Sequence, residues 1–168
     1  QIALYAGAGA DAVIAWEDWG LQDRLMIDPV LWRSMYKRRM TDMVSSIHDR
    51  GMKYILHSCG NILDIIDDLI EIGVDVLQLD QQRLMGFDAL ERYSGSICFF
   101  NPVDIQYMTD NGDVRSIEEY CHEMADRLST AKGGFMYKAY AQPKSVNISS
   151  EGLLAECRSF ATEKGKTE

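Results

Sequence analysis

Long apolar runs are missing from this chain: none approaches the length of a membrane span, so no transmembrane helix is expected. Positive charge is in short supply. With 17 Lys and Arg against 26 Asp and Glu, the net charge is −9. That balance argues against a nucleic-acid surface and disfavours anionic membranes. No signal peptide is expected. The 4 cysteines, Cys59, Cys98, Cys121 and Cys157, lack the spacing of a disulfide framework and suit a reducing cytoplasm. No linker or low-complexity segment divides the 168 residues, which are enough for one domain with a real core. The chain opens on Gln1, in what reads as the tail of a helix, so a fragment or a processed chain is expected.

What is present centres on Lys53 to Asn61, KYILHSCGN. An apolar strand runs into His57, Ser58 and Cys59, then into a Gly60-Asn61 turn. Side chains at i and i+2 on a strand share a face, so imidazole and thiol project together if the strand persists through Cys59. The pair is either a set of metal ligands or a nucleophile beside its base. The plain alternative is a buried thiol and a helix-capping histidine.

The rest of the chain reads as alternating strands and helices. Residues 1–9 are a helix end and Ala10 to Trp19 a strand. Asp28-Pro29 opens a helix that runs to about Arg50, with a stripe of Leu31, Met35, Met40, Met43, Val44 and Ile47. Strands follow at 53–58, Val74 to Asp80, Ser96 to Phe100 and Phe135 to Ala141. Helices are expected at 62–72, Phe87 to Tyr93, Ser116 to Ala131 (opened by a Ser116 to Glu119 capping box) and from Ser150 to about Lys164. Residues 105–115 read as an irregular loop with an Asn111-Gly112 turn, and the last four residues as a frayed tail. Five βα units in this order predict an α/β fold with a parallel sheet covered by helices.

In such folds the chemistry sits at the C-terminal ends of the strands. Those ends carry Glu17 and Asp18, His57 and Cys59, Gln78 and Asp80, Asn101 and Asp104 with Gln106 just beyond, and Tyr140 and Gln142. Any one acid there can simply cap a helix; five polar rims at one mouth make a site. His48 and His122 read as helix-surface residues, and Cys98, Cys121 and Cys157 as small core residues. Lys37-Arg38-Arg39 reads as a solvated basic face.

The segments EDWGLQ, DPVLW, LHSCGNI, DLIEIGVDVLQLDQ, FFNPVDIQ and GGF, in this order, resemble the uroporphyrinogen decarboxylase superfamily, and within it the branch that includes cobalamin-dependent methyltransferases. The resemblance implies a (β/α)8 TIM-type barrel of which residues 1–168 form the carboxy-terminal part, with the last five strands. It also implies a zinc site at His57 and Cys59. A later Cys completes that site in the methyltransferases, but Ala141 stands at the nearest position here, leaving Asp18 to replace it with Glu17 in reserve. Methyl transfer between methylcobalamin on a partner corrinoid protein and a thiol or folate acceptor then follows as the implied activity. In that reading Asp18, Asp80 and Asp104 serve catalysis, while Glu17, Gln78, Asn101, Gln106 and Tyr140 contact a small-molecule substrate. The alternatives are a metal-free decarboxylase of porphyrin biosynthesis and a non-catalytic fragment or assembly module. Because five strands do not close a barrel, a homo-oligomer that covers the open edges is expected.

Overall fold

The computed structural model describes residues 1–110, 113–146 and 148–161. Its strands are β1 (Ala12–Trp16), β2 (Lys53–Ser58), β3 (Val76–Leu79), β4 (Cys98–Asn101) and β5 (Phe135–Tyr137). They form one sheet in the order β1-β2-β3-β4-β5, with every neighbouring pair parallel. Strand order that follows chain order, without reversal, lays every right-handed crossover on the same face of the sheet. That is the winding of a (β/α)8 barrel rather than of a doubly wound sheet, and five of its units are present, as the sequence predicts.

Helix α1 (Ile2–Gly7) precedes β1. After β1, α2 (Pro29–Trp32) passes through a π turn at Arg33–Lys37 into α3 (Arg38–His48). The Asp28 carboxylate caps α2 by accepting from the backbone N–H groups of Val30 and Leu31. Then come α4 (Ile66–Ile72) after β2, α5 (Phe87–Leu90) after β3, α6 (Ile105–Asp110) and α7 (Val114–Leu128) after β4, and α8 (Ser150–Ala161) after β5.

Several expectations need correction. Met40, Val44 and Ile47 are buried as expected, but Leu31 and Met35 are exposed and Trp32 is buried in their place. Trp32, Tyr36, Met40 and Val44 recur every four residues, a spacing that drifts off one face of a pure α-helix and that the extra residue of the π turn absorbs. Residues 105–110 are helical rather than a loop, because Asp104 caps α6 through the N–H groups of Gln106 and Tyr107. The cap of α7 is Asp113, which accepts from Ser116 N, so Ser116 lies inside the helix. Of the basic run, Arg38 and Arg39 are exposed as expected, but Lys37 is bound to Asp68 at 2.8 Å and Glu71 at 2.6 Å, tying the π turn to α4. The strands are shorter than their apolar runs. The Asn111-Gly112 turn, the end of the last helix near Lys164 and the tail lie outside the described residues.

Strand register sorts side chains onto two faces. Trp16 aligns with His57 and His57 with Gln78. The opposite parity, Tyr54, Leu56, Leu77, Leu79 and Phe99, is fully buried under the helices with Val44, Ile47, Ile66 and Leu69. Each such side chain contributes about 1.5–3 kcal/mol of burial free energy. The inner face, Ile14, Ile55, Val76 and Phe100, is half-buried, and Trp16 on it is 69% exposed. No helix among the described residues is long and apolar enough to cross a membrane.

Candidate metal centre

The site is built where β1 and β2 leave the sheet. The backbone continues to pair beyond both strands: Glu17 N donates to His57 O at 2.9 Å and Gly20 N to Cys59 O at 3.2 Å. Trp19 N donates to Ser58 Oγ at 3.0 Å. From the next loop, Gln81 Oε1 accepts from Gly60 N at 2.9 Å. Gly60 sits at φ +75°, the left-handed turn that ends the stretch. Held this way, Cys59 stays beside His57 even though the strand stops at Ser58.

Asp18, His57 and Cys59 bring one oxygen, one nitrogen and one sulfur within 4.8 Å of one another. His57 Nε2 lies 3.6 Å from Cys59 Sγ and 3.3 Å from Asp18 Oδ1. Zinc bonds of about 2.0 Å to N and O and about 2.3 Å to S, at tetrahedral angles, separate such donors by about 3.6 Å and about 3.3 Å. The residues therefore fit zinc in both donor type and spacing. Asp18 is also aimed by the backbone, since its Oδ1 accepts from Cys59 N at 2.9 Å.

The nucleophile-and-base reading fares worse. Burial, with the charges of Asp18 and Asp80 behind it and Lys138 opposing, pushes the Cys59 thiol up to about 12. A bare thiol in that setting is not activated at neutral pH; a bound dication reverses the balance.

Behind His57 lies a polar chain along the inner face. His57 Nδ1 is 2.5 Å from Gln78 Oε1, and Gln78 Nε2 donates to Asp80 Oδ1 at 2.5 Å. Lys138 Nζ donates to both Gln78 Oε1 and Asp80 Oδ1, each at 3.0 Å, and sits 4.7 Å over the Tyr140 ring. Burial, then Asp80, raises the Tyr140 phenol well above its ordinary range. Sequence reasoning missed Lys138. It took β5 through Ala141 and read Tyr140 and Gln142 as its rim, whereas the strand ends at Tyr137 and Lys138 is the first rim residue. The i, i+2 spacing of Lys138 and Tyr140, the same as that of His57 and Cys59, was the available signal.

The other rim residues go elsewhere. Glu17 turns from Asp18 toward Trp19 and Tyr54, and burial raises its carboxyl. Asn101 is fully buried with the parity of Phe99, its Oδ1 accepting from Leu79 N, so it belongs to the helix-facing side. Asp104 does not join His57 in a shared cavity. It is fully buried and accepts from Arg83 N at 3.0 Å as well as from its own helix, because β4 ends before it and the loop turns it away. Gln106 is exposed and reaches across to Gln22 at 3.1 Å.

Comparison with known proteins adds a family. The uroporphyrinogen decarboxylase (URO-D) profile matches residues 2–136. A solved methyltransferase from Methanosarcina mazei superposes with a TM-score of 0.65 at 19% identity, covering 98% of this chain and 47% of that one. This chain therefore spans about half the length of that neighbour, and at such identity the likeness is one of fold. Among curated proteins nothing matches.

Proposed function

The chain belongs to the uroporphyrinogen decarboxylase family, and on that premise we propose that it is the zinc-binding part of a methyltransferase barrel, moving a methyl group between a corrinoid protein and a thiol or folate acceptor. The observation that carries this reading is the Asp18, His57 and Cys59 cluster, whose donor spacings suit tetrahedral zinc. Zinc held there supplies Lewis-acid chemistry, lowering the pKa of an acceptor thiol so that it is nucleophilic at neutral pH.

The chain's own residues do the rest. His57 offers its ring nitrogen from a buried, oriented position, Cys59 its sulfur, and Asp18 a carboxylate in place of a second thiolate. These three residues would hold the zinc and would leave room for the acceptor thiol beside it. Asp80 and Lys138, 3.0 Å apart, form an ion pair on the inner side of the rim, with Lys138 4.7 Å over the Tyr140 ring. In this reading Asp104 is a structural cap.

Metal content tests the proposal against the metal-free decarboxylase alternative. Protein purified without chelator is expected to carry about one zinc per chain. Cys59→Ala abolishes it and Cys98→Ala leaves it unchanged. Absence of zinc after reconstitution overturns the reading and returns His57 and Cys59 to structural roles.

A further inference from the structure

We infer that Lys138 and Asp80 are positioning residues: they lock the Gln78 amide in one orientation, and Gln78 in turn fixes His57 as the Nδ1–H tautomer, with its Nε2 lone pair toward Asp18 and Cys59. The purpose of this arrangement rests on the zinc reading above; its geometry does not.

A primary amide has one accepting end and one donating end, and only the neighbours tell which is which. Here they leave one answer. Lys138 Nζ has donors only and stands 3.0 Å from Gln78 Oε1. The Asp80 carboxylate accepts and stands 2.5 Å from Gln78 Nε2. Turning the amide over would set a donor against the ammonium and an oxygen against the carboxylate. The Oε1 so fixed also lies 2.5 Å from His57 Nδ1. An amide oxygen only accepts, so Nδ1 carries the hydrogen. A neutral imidazole protonated at Nδ1 has its lone pair at Nε2, the atom 3.3 Å from Asp18 Oδ1 and 3.6 Å from Cys59 Sγ.

This choice is not the one the front of the site favours by itself. Asp18 Oδ1 is an acceptor facing Nε2, and a hydrogen on Nε2 would bond to it and block the lone pair a metal needs. The relay behind the ring settles the contest. A carboxylate or a main-chain carbonyl commonly orients a metal-binding histidine. Here an amide does so, with its polarity set by an ion pair from β3 and the end of β5. Those two elements are not neighbours in the sheet, so the relay ties histidine orientation to the docking of β5.

The test reads the tautomer directly in metal-free protein. With 15N-labelled histidine, the signals of His57 are identified by their loss in His57→Asn. At a pH where the ring carries one proton, wild-type protein is expected to show a pyrrole-type Nδ1 and a pyridine-type Nε2. Gln78→Ala moves the hydrogen to Nε2. Gln78→Glu, which keeps an accepting oxygen, restores the wild-type pattern. Lys138→Met removes one restraint on the amide and gives a mixture. Zinc affinity, from chelator competition, falls about 10–100-fold in Gln78→Ala and recovers in Gln78→Glu. A wild-type ring with its hydrogen on Nε2, or a Gln78→Ala ring that keeps it on Nδ1, overturns the inference. If the wild-type protein itself fails to bind zinc, the zinc reading falls and the tautomer result stands. The wild-type measurement decides even if a variant fails to fold.

Discussion

Gly20 and Gly60 lie backbone against backbone at the rim: a Cβ on Gly20 would fall 2.5 Å from the carbonyl carbon of Gly60, and one on Gly60 2.3 Å from that of Gly20. The contact brings together the loops that carry Asp18 and Cys59, each one or two residues away. Neither side can yield, because the obstructing atoms are main chain. Gly20→Ala is therefore expected to lower stability by about 2–4 kcal/mol and to lose zinc. Gly7→Ala is the control, since a Cβ there meets nothing within 4 Å. Urea unfolding and zinc content on the two variants check this; equal midpoints would show that the loops part without cost.

The βα order and the His57–Cys59 pair were legible because each depends on local signals: apolar runs, turn glycines and an i, i+2 spacing. What stayed hidden depends on contacts distant in sequence. Gly20 reads as an ordinary loop glycine until Gly60 is set against it. Lys138 acquires meaning only when β5 places it near Gln78, 60 residues away. Asn101 and Asp104 looked equivalent to Asp80 because the strand's true end, and so the parity of its rim, is set by pairing with β5 rather than by composition. The exposed Leu31 and Met35 were misassigned because a π turn leaves no mark in hydrophobic periodicity.

Asp18 and Asp104 should separate cleanly on substitution. The Asp104 side chain satisfies three backbone N–H groups in a fully buried setting. Asp104→Ala is expected to cost about 2–4 kcal/mol with zinc stoichiometry retained. The Asp18 side chain is 57% exposed, so Asp18→Ala should leave the unfolding midpoint nearly unchanged while zinc binding weakens. Loss of zinc in well-folded Asp104→Ala would return that residue to the site.

Assembly follows from the sheet's margins. β1 pairs only with β2, and β5 only with β4, among the described residues. The inner face exposes Trp16 at 69% and Met136 at 41%. We expect a homo-oligomer that covers these strands. Light scattering at micromolar concentration should give a mass above the 19.0 kDa of one chain, and Trp16→Lys should lower it. A stable monomer would sink this expectation.

Stability should also fall as pH rises through the weakly acidic range, with Glu156 as a main cause. Its side chain on α8 is fully buried; Oε1 accepts from Val103 N at 2.7 Å, and Oε2 has no hydrogen-bond partner among the described residues. Burial outweighs that N–H and the nearby Tyr137 hydroxyl, raising the carboxyl from an ordinary 4.5 to about 7. Between these two values the folded chain holds a proton that the unfolded chain has released. The contribution is thus complete below 4.5 and is lost as pH climbs through 7. Its ceiling is about 3 kcal/mol, at about 1.4 kcal/mol per pH unit. Glu156→Gln keeps an oxygen for Val103 N and cannot ionise. Its unfolding free energy should therefore lose less than the wild type between about pH 5 and about pH 8, and exceed the wild type's at the upper end. Taking the difference between the two proteins removes the titration of every other group. Parallel curves would mean that Glu156 ionises in the folded chain as freely as in the unfolded one, with α8 open to water around it.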